Sequence, residues 1–178
     1  MKKEEQTETR KDIQQAFIRL WSTTPANKIR VKSICEATPI ARSTFYTYYD
    51  SVEELKADIE ERTIQDLAET NHKLFNRQIQ QVSDIAFVES TLNYVAEHHQ
   101  VFHAFLVSQI NGSFIERWKS ATKEQFTQLF RDNGIKKDDF LLEIVAASVV
   151  AAISYQLKKP EISLNSKDIS QLIFKILS

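Results

Sequence analysis

Residues 30–49, RVKSICEATPIARSTFYTYY, decide how this chain is read. Val31, Ile34, Cys35 and Ala37 put one apolar face on a short helix over about 30–37, Thr38-Pro39-Ile40 interrupts it, and a second short helix covers about 41–48. Two such helices, each of about two turns and separated by a tight break, have the dimensions of a helix-turn-helix. Small side chains at Cys35 and Ala37 allow a close crossing, and Ile34, Ile40, Phe45 and Tyr48 supply a small core. That leaves Arg42, Ser43, Thr44, Tyr46 and Thr47 at or near the outer face of the second helix. An arginine there can pair bidentately with guanine, and hydroxyls can reach phosphate or base edges. A plain helical hairpin, with aromatics as core and Arg42 as a solvated charge, satisfies the same spacing. The flanking sequence must decide.

Upstream, Ile13, Ala16, Phe17, Leu20 and Trp21 recur at helical spacing over about 8–23, and Thr24-Pro25-Ala26-Asn27 ends the run. Downstream, Asp50 or Ser51 is placed to cap a long helix over 51–75, with Glu53 and Glu54 in its first turn, where the helix dipole favours acids. Further helices are expected near 82–97, 99–110, 113–132, 137–157 and 165–177, punctuated by Asn111-Gly112-Ser113, Asn133-Gly134 and Pro160. Two glycines and three prolines in 178 residues are too few for a chain of hairpins. The expected architecture is all-α, with about nine helices. A three-helix helix-turn-helix domain occupies 1–50, and a helical bundle for sensing and dimerisation occupies 51–178. No repeat or flexible linker interrupts it, so the 51–75 helix joins both parts.

Charge follows this division. Residues 1–50 carry nine Lys/Arg against six Asp/Glu, a net of +3, and the remainder carries −4. A basic head on an acidic body suits a nucleic-acid-binding module attached to a non-binding one. One cysteine, Cys35, excludes an internal disulfide framework and suits a reducing compartment. The charged N-terminus lacks the apolar core of a secretory signal, and no stretch is read as approaching the roughly 20 apolar residues of a membrane span. A soluble cytoplasmic protein without a membrane partner is expected.

ARSTFYTYYDSVEEL, residues 41–55, resembles the signature of the TetR family of transcriptional regulators, in which a recognition helix ends in a Tyr-x-Tyr-aromatic run followed by Ser-x-Glu. VKSICEA resembles the first helix of that motif and IQQAFIRLW the helix before it, so the resemblance covers residues 8–62 in order. It implies that Arg42, Ser43 and Thr44 read bases or the adjacent backbone, that Tyr46 and Thr47 grip phosphate, and that Phe45, Tyr48 and Tyr49 are core. Four departures stand out. Thr38-Pro39 replaces the usual turn glycine. Ala41 replaces a capping Ser or Thr, at a cost of about 1 kcal/mol. Val52 stands where a phosphate-binding lysine is common, and Arg30 where Thr is usual. Thr38 as cap with Pro39 at the first helical position would compensate by starting the helix earlier. Arg30 and Lys32 would supply backbone contacts in place of the lost lysine.

Beyond residue 62 the chain is rich in aromatics, among them Phe75, Phe87, Tyr94, Phe114, Trp118 and Phe126. Any one of these is better read as core, although the resemblance implies an effector pocket here for a small apolar or aromatic molecule. LNYVAEHHQVFHAFLVSQINGSFIERW, residues 92–118, resembles more loosely the C-terminal domain of a TetR subgroup common in Firmicutes, one of whose members is a coactivator of dihydroxyacetone kinase genes. Small and branched residues alternate through EIVAASVVAAISYQL, and periodicity leaves a buried monomer helix and a dimer helix equally open. The resemblance implies homodimerisation through the last two helices, here by Ala147, Val150, Ala151, Ile169, Ile173 and Ile176. A dimer presents two recognition helices about 34 Å apart to palindromic double-stranded DNA.

An enzyme is the poorer reading. His99 and His103 stand one helical turn apart, yet no third ligand at recognisable spacing follows, and there is no phosphate loop or nucleophile motif. No cofactor, metal or catalytic residue is expected. The expected function is a DNA-binding regulator, a repressor by family frequency, released by an effector. A protein-binding adaptor remains open, as does a helical metal enzyme built on the histidine pair.

Overall fold

The computed structural model describes residues 2–77, 84–132, 134, 136–162 and 165–177. The expected start of a helix at 82–83, Asn133, and the side chains of Phe75 and Leu177 lie outside what is described. Among the described residues the chain is helical and has no strand. The helices are α1 (Lys2–Thr23), α2 (Val31–Ala37), α3 (Arg42–Tyr46), α4 (Val52–Arg77), α5 (Asp84–Glu97), α6 (His99–His103), α7 (Gly112–Asp132), α8 (Asp139–Lys158) and α9 (Ser166–Leu177). Ser51 caps α4, its Oγ accepting from Glu54 N–H at 3.0 Å, while the Glu54 carboxylate reaches back to Asp50 N–H at 2.5 Å.

Two compact units result. The first holds residues 1–62 with 100–110, the second 63–99 with 111–178, so one boundary falls inside α4. In the first, Ile13, Ala16, Phe17, Ile18 and Trp21 of α1 are buried with Ile29, Ile34, Cys35, Phe45, Tyr49, Leu55 and Ile59. Burying each large side chain of this set contributes about 1.5–3 kcal/mol. Residues 100–110 add Phe102, Phe105 and Leu106, and the Phe105 ring meets Trp21 edge-on at 5.5 Å. After α6 the backbone widens into a π-turn over Ala104–Ser108, closed by Gln109 N–H donating to Ala104 O at 3.1 Å.

In the second unit α7 packs on α8, and α9 on both α5 and α8. Phe87 and Phe126 lie 4.8 Å apart, and Phe114, Trp118, Val145, Val149 and Ile153 are buried around them, so these aromatics are core. Helix α8 corrects the sequence reading: by length and composition it is apolar enough to cross a membrane. About a third of that apolar stretch is enclosed by the unit, at Leu142, Val145, Ala146, Val149, Val150 and Ile153.

Candidate nucleic-acid interface

Helix α3 has little internal strength. Five residues make little more than one turn, too few to be stable alone, so its placement depends on packing. Phe45 is the anchor, fully buried, with Tyr49 beside it at 5.9 Å between rings. Around that anchor Arg42, Ser43, Tyr46 and Thr47 are exposed, Thr44 is half-buried and Tyr46 is 54 % exposed. The hydroxyl of Thr47 donates to Ser43 O at 3.1 Å. Arg30 and Lys32 are also exposed, at the start of α2. Lys32 meets Glu36 only at 3.7 Å, with both side chains about two-thirds exposed (67 and 65 %), a pairing too weak to hold the ammonium.

The turn differs from the sequence reading. Thr38 does not cap α3. It ends α2, and its buried hydroxyl donates to Asp12 O at 3.1 Å, tying the turn to α1. Helix α3 starts at Arg42 after Ala41, whose side chain cannot accept a hydrogen bond, so the compensating cap is absent. The helix is also shorter than expected, because Thr47 and Tyr48 N–H groups turn back to Thr44 and Phe45 carbonyls, three residues behind. Tyr48 and Ile40 are half-buried and Ala37 is exposed, so the helix crossing rests on Ile34 and Cys35. Burial raises the Cys35 thiol, with nearby Arg42 opposing, which keeps it an inert small apolar group.

Sequence reading missed the polar cluster behind this surface. The Tyr49 hydroxyl donates to Asp58 Oδ2 at 2.8 Å and accepts from Arg10 Nε and Gln14 Nε2, both at 3.0 Å. Asp58 Oδ2 also accepts from Gln14 Nε2 at 2.8 Å, and Oδ1 accepts from an Arg10 NH2 group and from Arg62 Nε, each at 2.7 Å. The Arg10 guanidinium lies 5.5 Å from the Tyr49 ring centre. Burial pushes the Asp58 carboxyl up, but hydrogen bonds from Arg62, Tyr49 and Arg10 together hold it below the usual aspartate value. Burial raises Tyr49, so its hydroxyl stays a donor. The bonded pairs are up to 48 positions apart in sequence. The only signal available was a tyrosine at a core aromatic position, where a buried hydroxyl needs a partner.

The residues expected at a dimer interface divide into two sets. Val150, Ile169 and Ile173 are buried within the second unit, whereas Ala151 is exposed and Ala147 and Ile176 are half-buried. Among the described residues of that unit, the large apolar side chains left exposed are Phe140, Ile144 and Tyr155 on α8 and Leu172 on α9. Elsewhere in the unit, a 410 Å3 cleft is lined by Ala68, Glu69, His72 and Lys73 of α4 and by α7 residues from Ala121 to Asp132. Among the described residues no three His, Cys, Asp or Glu side chains converge as metal ligands.

Solved structures share this architecture. A TetR transcriptional regulator from Streptococcus agalactiae superposes with a TM-score of 0.72 at 21% identity, over 99% of this chain and 97% of that one. A putative TetR-family regulator from Syntrophomonas wolfei gives 0.73 at 11% identity, over 95% and 92%. The dihydroxyacetone kinase operon activator DhaS gives 0.62 at 22% identity, over 94% and 91%. The chain has the two-part helical fold of TetR-family regulators. No protein-family model matches the sequence, and no curated protein matches it.

Proposed function

We propose that this chain is a DNA-binding transcriptional regulator that acts in the cytoplasm as a homodimer on a palindromic operator. The observation that carries the reading is α3: a one-turn helix anchored by Phe45, with Arg42, Ser43, Tyr46 and Thr47 all turned to solvent. Polar, hydrogen-bonding side chains held outward on a buried anchor are what a major-groove reader needs. The likeness to TetR-type regulators supports it, as does the positive N-terminal part. Arg42 reads a base edge, Ser43 and Thr44 read bases or the adjacent backbone, and Tyr46, Thr47, Arg30 and Lys32 hold phosphates.

Phe140, Ile144, Ala151 and Tyr155 follow one another at steps of four, seven and four, which places them on one stripe of α8. With Leu172 they form the apolar surface through which two copies pair. Repression, relieved by an effector in the second unit, is the working mode. The α4–α7 cleft has a volume suited to a small ligand, and its Glu69, Glu124, Asp132, Gln125 and Gln128 side chains favour one with hydrogen-bonding groups. A ligand that binds one of two states better shifts DNA affinity by that difference.

The test is selection of genomic fragments by the purified protein, followed by mobility shift at several salt concentrations. Saturable, salt-sensitive binding to one palindromic fragment, weakened by about 1–3 kcal/mol in Arg42→Ala, supports the reading. Absence of any fragment preference at low salt sinks it and favours a protein-binding adaptor.

A further inference from the structure

We infer that Tyr49 and Asp58 are positioning residues for operator recognition, locking the rotation of α3 against α1 and α4. The inference rests on the DNA-binding reading and goes beyond it, because neither residue belongs to the exposed surface that would meet DNA.

Phe45 sets how deeply α3 sits, but apolar contact is non-directional and leaves rotation about that anchor open. Hydrogen bonds are directional. A hydroxyl has one donor and two acceptor sites, and Tyr49 uses all three, on Asp58, Arg10 and Gln14. An ionised carboxylate accepts about four hydrogen bonds, and Asp58 receives four, from Tyr49, Gln14, Arg10 and Arg62. Both groups are saturated. A rotated α3 would carry Tyr49 away, strand its buried hydroxyl and cost Asp58 one of its four donors, so the alternatives are penalised as well as the native pose favoured. The groups come in pairs one helical turn apart: the donors Arg10 and Gln14 on α1, and the acceptor Asp58 with the donor Arg62 on α4. The cluster therefore resists twisting in addition to separation. Tyr49 lies two residues beyond Thr47 and three beyond Tyr46, so a small rotation at the lock moves those side chains directly.

The experiment uses the full chain, an operator fragment selected by wild type, and Tyr49→Phe and Asp58→Asn. Tyr49→Phe keeps the buried ring and removes one oxygen. At a temperature where circular dichroism shows each variant folded, operator affinity is expected to fall by about tenfold or more. Low-salt affinity for unrelated DNA should stay within about twofold, because the exposed cations are untouched. The double variant should lose less than the product of the two single losses. Hydrogen exchange supplies a readout independent of DNA: amides of Phe45–Tyr49 should exchange faster in either variant, with those of α8 unchanged. Folded variants with wild-type operator affinity overturn the inference while leaving the DNA-binding reading intact. So does an unchanged exchange rate in α3, even for a variant too unstable for binding assays. A wild-type protein that selects no fragment fails the underlying reading first, before any variant is made, and removes the positioning role with it.

Discussion

Gln109 and Trp21 hydrogen-bond each other in both directions: the Trp21 indole Nε1–H donates to Gln109 O at 3.3 Å, and Gln109 Nε2 donates to Trp21 O. The same amide also donates to Thr24 O at 2.8 Å, and its Oε1 accepts from Ala26 N–H at 2.8 Å. One side chain thus satisfies the end of α1 and the turn leading to the helix-turn-helix, 83 to 88 residues earlier in the chain. Gln109→Glu keeps the size and the acceptor but cannot donate when ionised, leaving two carbonyls without their partner. Urea unfolding at neutral pH should show a loss of about 1–3 kcal/mol, and a stability equal to wild type would mean that water replaces the clamp at little cost.

Ala41→Ser supplies the missing cap of α3. The serine oxygen can accept from the Ser43 or Thr44 N–H, and thermal unfolding should register a gain of about 0.5–2 kcal/mol. No rise in Tm would show that the Ala41 backbone, extended at φ −71° and ψ 150°, does not present a side chain to those amides.

Stability should depend on pH through Asp58. Its carboxyl is held below the ordinary 3.8 in the folded chain, so its contribution is complete above that value and disappears as pH falls through the lower folded one. Asparagine in its place cannot titrate. Below about pH 4 the difference in stability between wild type and Asp58→Asn should shrink, and a difference that stays constant from pH 7 into acid would refute the assignment.

Phe140→Glu places a charge on the exposed α8 stripe and away from the buried face of the helix, since Phe140 is 67 % exposed. Sedimentation should show wild-type dimer and variant monomer, with helix content unchanged. Identical sedimentation of the two proteins would move the dimer surface elsewhere.

Lys32→Gln removes a cation that Glu36 scarcely holds. Operator binding should weaken for all sequences alike, and the slope of log affinity against log salt should fall by about one. A change in sequence preference would instead assign Lys32 to a base.

How much of this was legible follows the range of the interactions. Helix α1 shows in the three- and four-residue spacing of Ile13, Phe17 and Trp21, because one helix face is a local property. Outward placement of Arg42 and Ser43 follows in the same way from their offset to Phe45. Thr38 shows where local rules stop: its hydroxyl had two uses, capping α3 or reaching Asp12 O, and only the tertiary neighbour decided. Which side of α8 is covered was ambiguous because both faces are apolar, and packing against α7 and α9 selects it. Gln109 and the Asp58 cluster were invisible, being polar residues whose partners lie 35 to 88 positions away, with the short Tyr49–Asp58 and Asp58–Arg62 links as the exceptions.

The π-turn at Ala104–Ser108 makes the chain unusually sensitive to length at one place. A wide turn holds one residue more than the α-helical path needs, and each residue of a helix rotates the next by about 100°. Deleting a single residue there could heal the helix into regular geometry and improve its local hydrogen bonding. It would also swing the Gln109 amide about a quarter-turn off Trp21 and Thr24. The segment works as a phase-setting spacer, and its irregularity is what brings a side chain at its far end into register with the first helix of the protein.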